Sequence, residues 1–141
     1  MTRRLLITCA VFLGVGCAST VPPTADTALD WAAVAEEGVP TIITRDADGE
    51  ERVTKLWLAV VDGQGLIRTD DSRWFRNIER DPNVVLRIGD YAHLLRAELV
   101  TDESLEKRAN AAFRGKYGWQ DWLIHPFGEP DANTMRLVPR E

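Results

Sequence analysis

Cysteine is nearly absent from the 141-residue sequence, standing only at Cys9 and Cys17. Both lie in an N-terminal segment expected to be processed, so thiol catalysis, a cysteine metal site and a disulfide framework are excluded from the folded part. Serine is confined to Ser19, Ser72 and Ser104, and histidine to His93 and His125. A Ser-His-Asp arrangement would need Ser72 to meet a distant histidine. Two histidines without clustered carboxylates do not compose a catalytic metal site, so no metal is expected. Neither a Walker loop nor Gly-x-Gly-x-x-Gly follows a strand-like run, and Gly63 and Gly65 belong to a turn. Basic excess is missing too. The formal charge is −5 and grows more negative if Arg3 and Arg4 are removed, which argues against nonspecific nucleic-acid binding.

Long apolar runs are also lacking. The most apolar stretch, Leu5 to Val15, is shorter than the roughly 20 residues a helix needs to cross a hydrocarbon core. Arg3 and Arg4 precede it, and Gly14 and Gly16 close it before Cys17, which is the layout of a signal peptide. Residues 1–16 are therefore expected to be removed and Cys17 to carry a lipid. Ordinary secretory cleavage nearby stays open, because Gly14 stands three before Cys17, where lipoprotein signals usually carry Leu. Thr2 to Leu6 also resembles a twin-arginine signal, so the export route stays open as well. Residues 17–27, rich in Ser, Thr, Pro and Ala, read as a tether. The expected location is the cell envelope, on the periplasmic or outer face of a membrane, held by lipid rather than by charge.

The remaining residues, 28–141, suffice for one core. Leu29 to Glu37 reads as a short helix stopped by Gly38. Val39 to Arg45, Arg52 to Val61 and Leu66 to Thr69 read as strands, joined by turns at Asp46-Ala47-Asp48-Gly49 and Asp62-Gly63-Gln64-Gly65. Asp70-Asp71-Ser72 offers caps for a helix reaching about Arg80, where Asp81-Pro82 ends it. Its apolar side carries Trp74, Phe75 and Ile78, and its polar side Arg73, Arg76, Asn77 and Arg80. Strands follow at Asn83 to Ile88, Ala92 to Val100 and Thr134 to Val138, with a helix from Asp102 to about Arg114 ended by Gly115. Short antiparallel strands interrupted by helices indicate an α+β domain on a barrel or strongly curled sheet. Trp57, Leu58, Val60, Leu66, Val85, Leu86, Leu95 and Leu137 are expected to line it.

Anion-binding groups concentrate around the central hairpin and the helix after it: Arg52, Lys55, Arg68, Thr69, Ser72, Arg73, Arg76 and Asn77. Guanidinium forks, hydroxyls and a helix N-terminus are what a phosphate needs. Pairing of these arginines with Asp70, Asp71, Glu79 and Asp81 is the competing reading.

Arg52 to Trp57, Leu66 to Ile78 and Asp81 to Leu86 together resemble the split-barrel superfamily of pyridoxamine 5'-phosphate oxidase and the deazaflavin-dependent nitroreductases. The resemblance spans about residues 39–100, with a similar ending in Met135 to Pro139. It implies an antiparallel split β-barrel of the FMN-binding type with short flanking helices. It also implies that Arg52, Thr69, Ser72 and Arg73 contact a flavin phosphate, with Lys55 and Arg68 as further cations. Trp74 and Asn77 match the Trp-x-x-Asn of the deazaflavin branch. Trp57 and Trp74 stand where oxidase-type relatives carry basic residues, and the Thr69 to Ser72 interval is one residue shorter. By this resemblance the chain is a homodimer that binds FMN or a deazaflavin and passes hydride or electrons to a small organic substrate. The alternative is a noncatalytic membrane-anchored lipoprotein that binds a ligand or partner and keeps a vestigial cofactor site. Tyr117, Trp119, Trp122 and Phe127 either cover a flat ring or form peripheral core.

Overall fold

The structure, a computed structural model, describes residues 29–118 and 132–140. The expected leader, the lipid site at Cys17, the tether, and Trp119, Trp122, His125 and Phe127 lie outside the described residues.

Local chemistry sets most of the elements. Asp30 caps α1 (Trp31–Ala35) by accepting the Ala32 N–H at 2.9 Å. Strands β1 (Thr41–Arg45) and β2 (Glu51–Lys55) form a hairpin whose turn closes through Asp46 N–H to the Glu50 carbonyl at 2.9 Å, with Gly49 at φ +88°. Strands β3 (Leu58–Val61) and β4 (Gln64–Thr69) join through Asp62 and Gly63, at φ 52° and 71°. Two successive positive φ values define the type I′ turn that matches strand twist. Helix α2 (Arg73–Arg80), β5 (Asn83–Ile88), β6 (Tyr91–Leu99), α3 (Glu103–Tyr117) and β7 (Asn133–Pro139) complete the chain.

All seven strands pair antiparallel in one sheet of order β2-β1-β5-β6-β7-β4-β3. This order forces curvature. The two edge strands, β2 and β3, are separated in the chain only by Leu56 and Trp57, a link that reaches at most about 11 Å. In a flat sheet the same edges would lie roughly 29 Å apart at about 4.8 Å per strand. The sheet must curl until its edges meet, and the chain itself, not a hydrogen-bonded ladder, bridges the split.

This corrects the expectation of one strand from Arg52 to Val61. The run breaks because its halves sit on opposite edges, with the Leu56 N–H donated to the Pro40 carbonyl at 3.1 Å. The curled interior is filled by Ile42, Leu58, Ile67, Val84, Leu86, Leu95, Ala97, Met135 and Leu137, and closed by Trp74 and Ile78 of α2. Leu58, Leu86, Leu95 and Leu137 stand where expected, and Val60 packs at the interior's margin. Leu66 is fully buried on the other face, under α3, because β3 and β4 are covered on both sides. Val85 faces outward. Alternation along β5 turns Val84 and Leu86 inward instead.

Helix α3 packs Leu105, Ala109, Phe113 and Tyr117 against Ala59, Val61 and Leu66. It passes Gly115 and ends at Gly118, whose φ of 53° places it in the left-handed region. Tyr117 explains the extra turn. Its hydroxyl donates to the Leu58 carbonyl at 3.0 Å and accepts the Leu58 N–H at 2.9 Å, and its ring stacks on Trp57 at 4.5 Å. Helix α1 is shorter than expected, and its Trp31 ring packs against Gly65, where any Cβ would overlap it.

Candidate functional site

The site lies at one end of the curled sheet, where the β1–β2 turn meets α2. On β2, Arg52 stands opposite Thr44 of β1, on the inner side. Ser72 caps α2 by accepting the Phe75 N–H at 3.3 Å, and the Thr69 hydroxyl donates to Ser72 Oγ at 2.9 Å. The first helical residue is then Arg73, and Asn77 follows one turn later on the same side. Because Trp74 and Ile78 anchor α2 in the core, Asn77 is carried inward to 2% exposure. It was read as part of the polar side. The helix is polar there but not open to solvent.

One carboxylate gathers these groups. Asp46 Oδ1 accepts from Arg52 Nε at 2.9 Å and Asn77 Nδ2 at 2.7 Å. Its Oδ2 accepts from Arg52 Nη2 at 2.9 Å and pairs with Arg73 Nη2 at 2.9 Å. The Asp46 side chain is 8% exposed, against 32% for Arg52 and 65% for Arg73. The Arg52 hydrogen bonds, then the Asn77 amide, hold the Asp46 carboxyl well below its ordinary range, and Asp46 in turn raises the Arg52 guanidinium. Asn77 also donates to Thr44 Oγ1 at 3.0 Å and accepts from Arg80 Nη2 at 2.6 Å.

Of the seven residues expected to bind a cofactor, Arg52, Arg73 and Asn77 thus meet on Asp46, with the Thr69–Ser72 hydroxyl pair at the start of the same helix. Lys55 and Arg68 stand elsewhere. Lys55 is exposed at the far end of β2 and faces outward, since strand alternation sets it opposite to Arg52. Arg68 donates to Asn110 Oδ1 at 3.1 Å and lies over the Phe113 ring at 4.6 Å, tying β4 to α3. Arg76 turns to Asp71 in a two-bond fork at 2.8 and 2.6 Å. Trp74 and Trp57 both serve packing: Trp74 fills the interior and Trp57 stacks on Tyr117.

Sequence reasoning missed Asp46 and Thr44. Asp46 was read as a turn residue, and the carboxylates weighed as partners were all nearer in sequence to α2. Among the described residues, no group of three potential metal ligands gathers, and no helix is long and apolar enough to cross a membrane.

No protein family and no curated protein matches the sequence. Solved structures do match in fold. HutZ, the heme storage protein of Vibrio cholerae, aligns over 75% of this chain and 84% of its own, with TM-score 0.62 and 18% identity. A Listeria innocua protein assigned to the pyridoxamine 5'-phosphate oxidases aligns over 79% and 90%, with TM-score 0.59 and 18% identity. The chain has the split-barrel fold of the pyridoxamine 5'-phosphate oxidase-like proteins. An F420 reductase aligns over 82% of this chain and 96% of its own length, with TM-score 0.55 and 16% identity. The expected fold class is therefore the observed one.

Proposed function

We propose that this split barrel binds a flavin-type cofactor, FMN or a deazaflavin, where the β1–β2 turn meets α2, and that the bound cofactor supplies hydride or electron transfer to a small organic molecule. The observation that carries the reading is the convergence of Arg52, Arg73 and Asn77 on a single anionic group, with the Thr69–Ser72 pair capping the helix that carries Arg73 and Asn77. Proteins of this fold include those named for heme storage, pyridoxamine phosphate oxidation and F420 reduction. The donors match the chemistry of a phosphate, but Asp46 already holds them. The same occupancy favours the second reading, a noncatalytic ligand-binding module.

Fluorescence titration of FMN, riboflavin and a deazaflavin into the full chain separates the two. Saturable micromolar binding of any of them supports the cofactor reading, and none at high micromolar concentration leaves the noncatalytic module.

The proposal includes a second copy of the chain. Val53, Ile43, Val85 and Leu94 stand in register across four strands on the outer face. Val53 and Leu94 are 59% and 46% exposed, beside the Arg45–Glu51 ion pair at 3.2 Å. An apolar row with charges of both signs at its margin suits a two-fold, self-complementary contact. It further includes export, lipid attachment at Cys17 and residence in the cell envelope. Cys17→Ser is expected to move the protein from the detergent phase to the aqueous phase while the domain stays folded.

A further inference from the structure

The Asp46 cluster has more cation than its own anion needs. Two guanidiniums and a buried amide serve one carboxylate, and both of its oxygens are filled by two donors each. The donors come from two elements: Arg52 from β2, the edge strand paired to β1 across the turn, and Arg73 and Asn77 from α2, which the core holds through Trp74 and Ile78. The Arg52 fork and the flanking Arg73 offer parallel N–H bonds suited to any planar or tetrahedral oxyanion. Asp46 carries one charge against two guanidiniums, with Asp48 acting on Arg52 through charge alone, and Arg73, mostly exposed, opens the cluster to solvent on that side. Asp46 reaches the cluster from a turn whose backbone bonds, Asp46 N–H to Glu50 and Gly49 N–H to Asp46, do not involve its side chain. The carboxylate could therefore leave the cations without dismantling the hairpin.

We infer that Asp46 is a resident anion occupying a phosphate site, so that a phosphate or a phosphate-bearing ligand reaches Arg52, Arg73 and Asn77 only by displacing it. Asp46 is then the residue that sets specificity at this site, competing with phosphate for the same donors and so weakening its hold in the native chain. The inference takes its location from the cofactor reading, but inorganic phosphate tests it without any flavin.

The experiment compares the full chain with Asp46→Ala and with the double variant Asp46→Ala/Arg52→Ala. Phosphate binding is read by isothermal titration calorimetry, and melting temperature in phosphate or chloride at equal ionic strength. The expected result is that Asp46→Ala binds phosphate at least tenfold more tightly than wild type, and that phosphate raises its melting temperature where chloride does not. The double variant loses the gain. Folding of Asp46→Ala in phosphate but not in chloride supports the inference equally, since the ion then replaces the missing carboxylate. Equal phosphate affinity of wild type and Asp46→Ala overturns it, and so does failure of Asp46→Ala to fold in either salt. A parallel titration compares FMN with riboflavin. Wild type is expected to bind the two within a fewfold of each other, and Asp46→Ala to prefer FMN by at least tenfold. A strong FMN preference in wild type overturns the inference. If neither flavin binds either protein, the cofactor reading fails while the phosphate comparison still decides on Asp46.

Discussion

At the residue scale, Asn77 ties α2 to β1 and to the Asp46 cluster. Its buried amide bonds Thr44, Asp46 and Arg80 at once. Asn77→Ala would leave the buried Thr44 hydroxyl without its side-chain partner and take one of four donor contacts from Asp46, and a loss of about 1–3 kcal/mol in urea unfolding is expected. Asp46 adds a pH dependence. Its folded value lies below the ordinary 3.8, so its stabilising contribution is complete above 3.8 and is lost as pH falls below it. Asp46→Asn is therefore expected to flatten the acid limb of a stability–pH curve, and an unchanged limb would show that the pairing is absent in solution. Of these residues, the sequence made the cations legible but not their partner. Arg52, Arg73 and Asn77 are chemically conspicuous, whereas Asp46 is one of several acidic turn residues until β1 and α2 are packed together.

At the scale of elements, what local chemistry dictates was legible and what packing dictates was not. The Asp62–Gly63 turn, the Ser72 cap and the strand Asn83 to Ile88 carry their own signals. The break at Leu56–Trp57 depends on the two edges meeting, and the run of α3 past Gly115 depends on Tyr117 finding the Leu58 backbone. Tyr117→Phe should leave the buried N–H and C=O of Leu58 unpaired, costing about 1–3 kcal/mol in thermal unfolding. The α1 contact has its own test. Gly65→Ala is expected to destabilise by about 1–3 kcal/mol through overlap with Trp31, and Trp31→Ala in the same chain should remove most of that overlap penalty. Additive losses in that double-mutant cycle would contradict the packing.

For the whole molecule, the curled sheet brings the β1–β2 turn and α2 together around Asp46 and presents an apolar row on its outer face. Leu94→Arg tests the proposed second copy. Light scattering should give a dimer mass for wild type and a monomer mass for the variant, and equal masses would remove this face as the contact. The fold class was legible because alternating strands and turn chemistry repeat along the chain. The sheet order was not, since nothing local says that β2 and β3 part to opposite edges. The most direct measurement is the visible absorbance of the full chain, as purified from the cells that make it and after incubation with FMN or a deazaflavin and removal of excess. The account predicts that the protein carries the absorbance of a bound flavin or deazaflavin in at least one of these states, and a protein that remains colourless in all of them would contradict it.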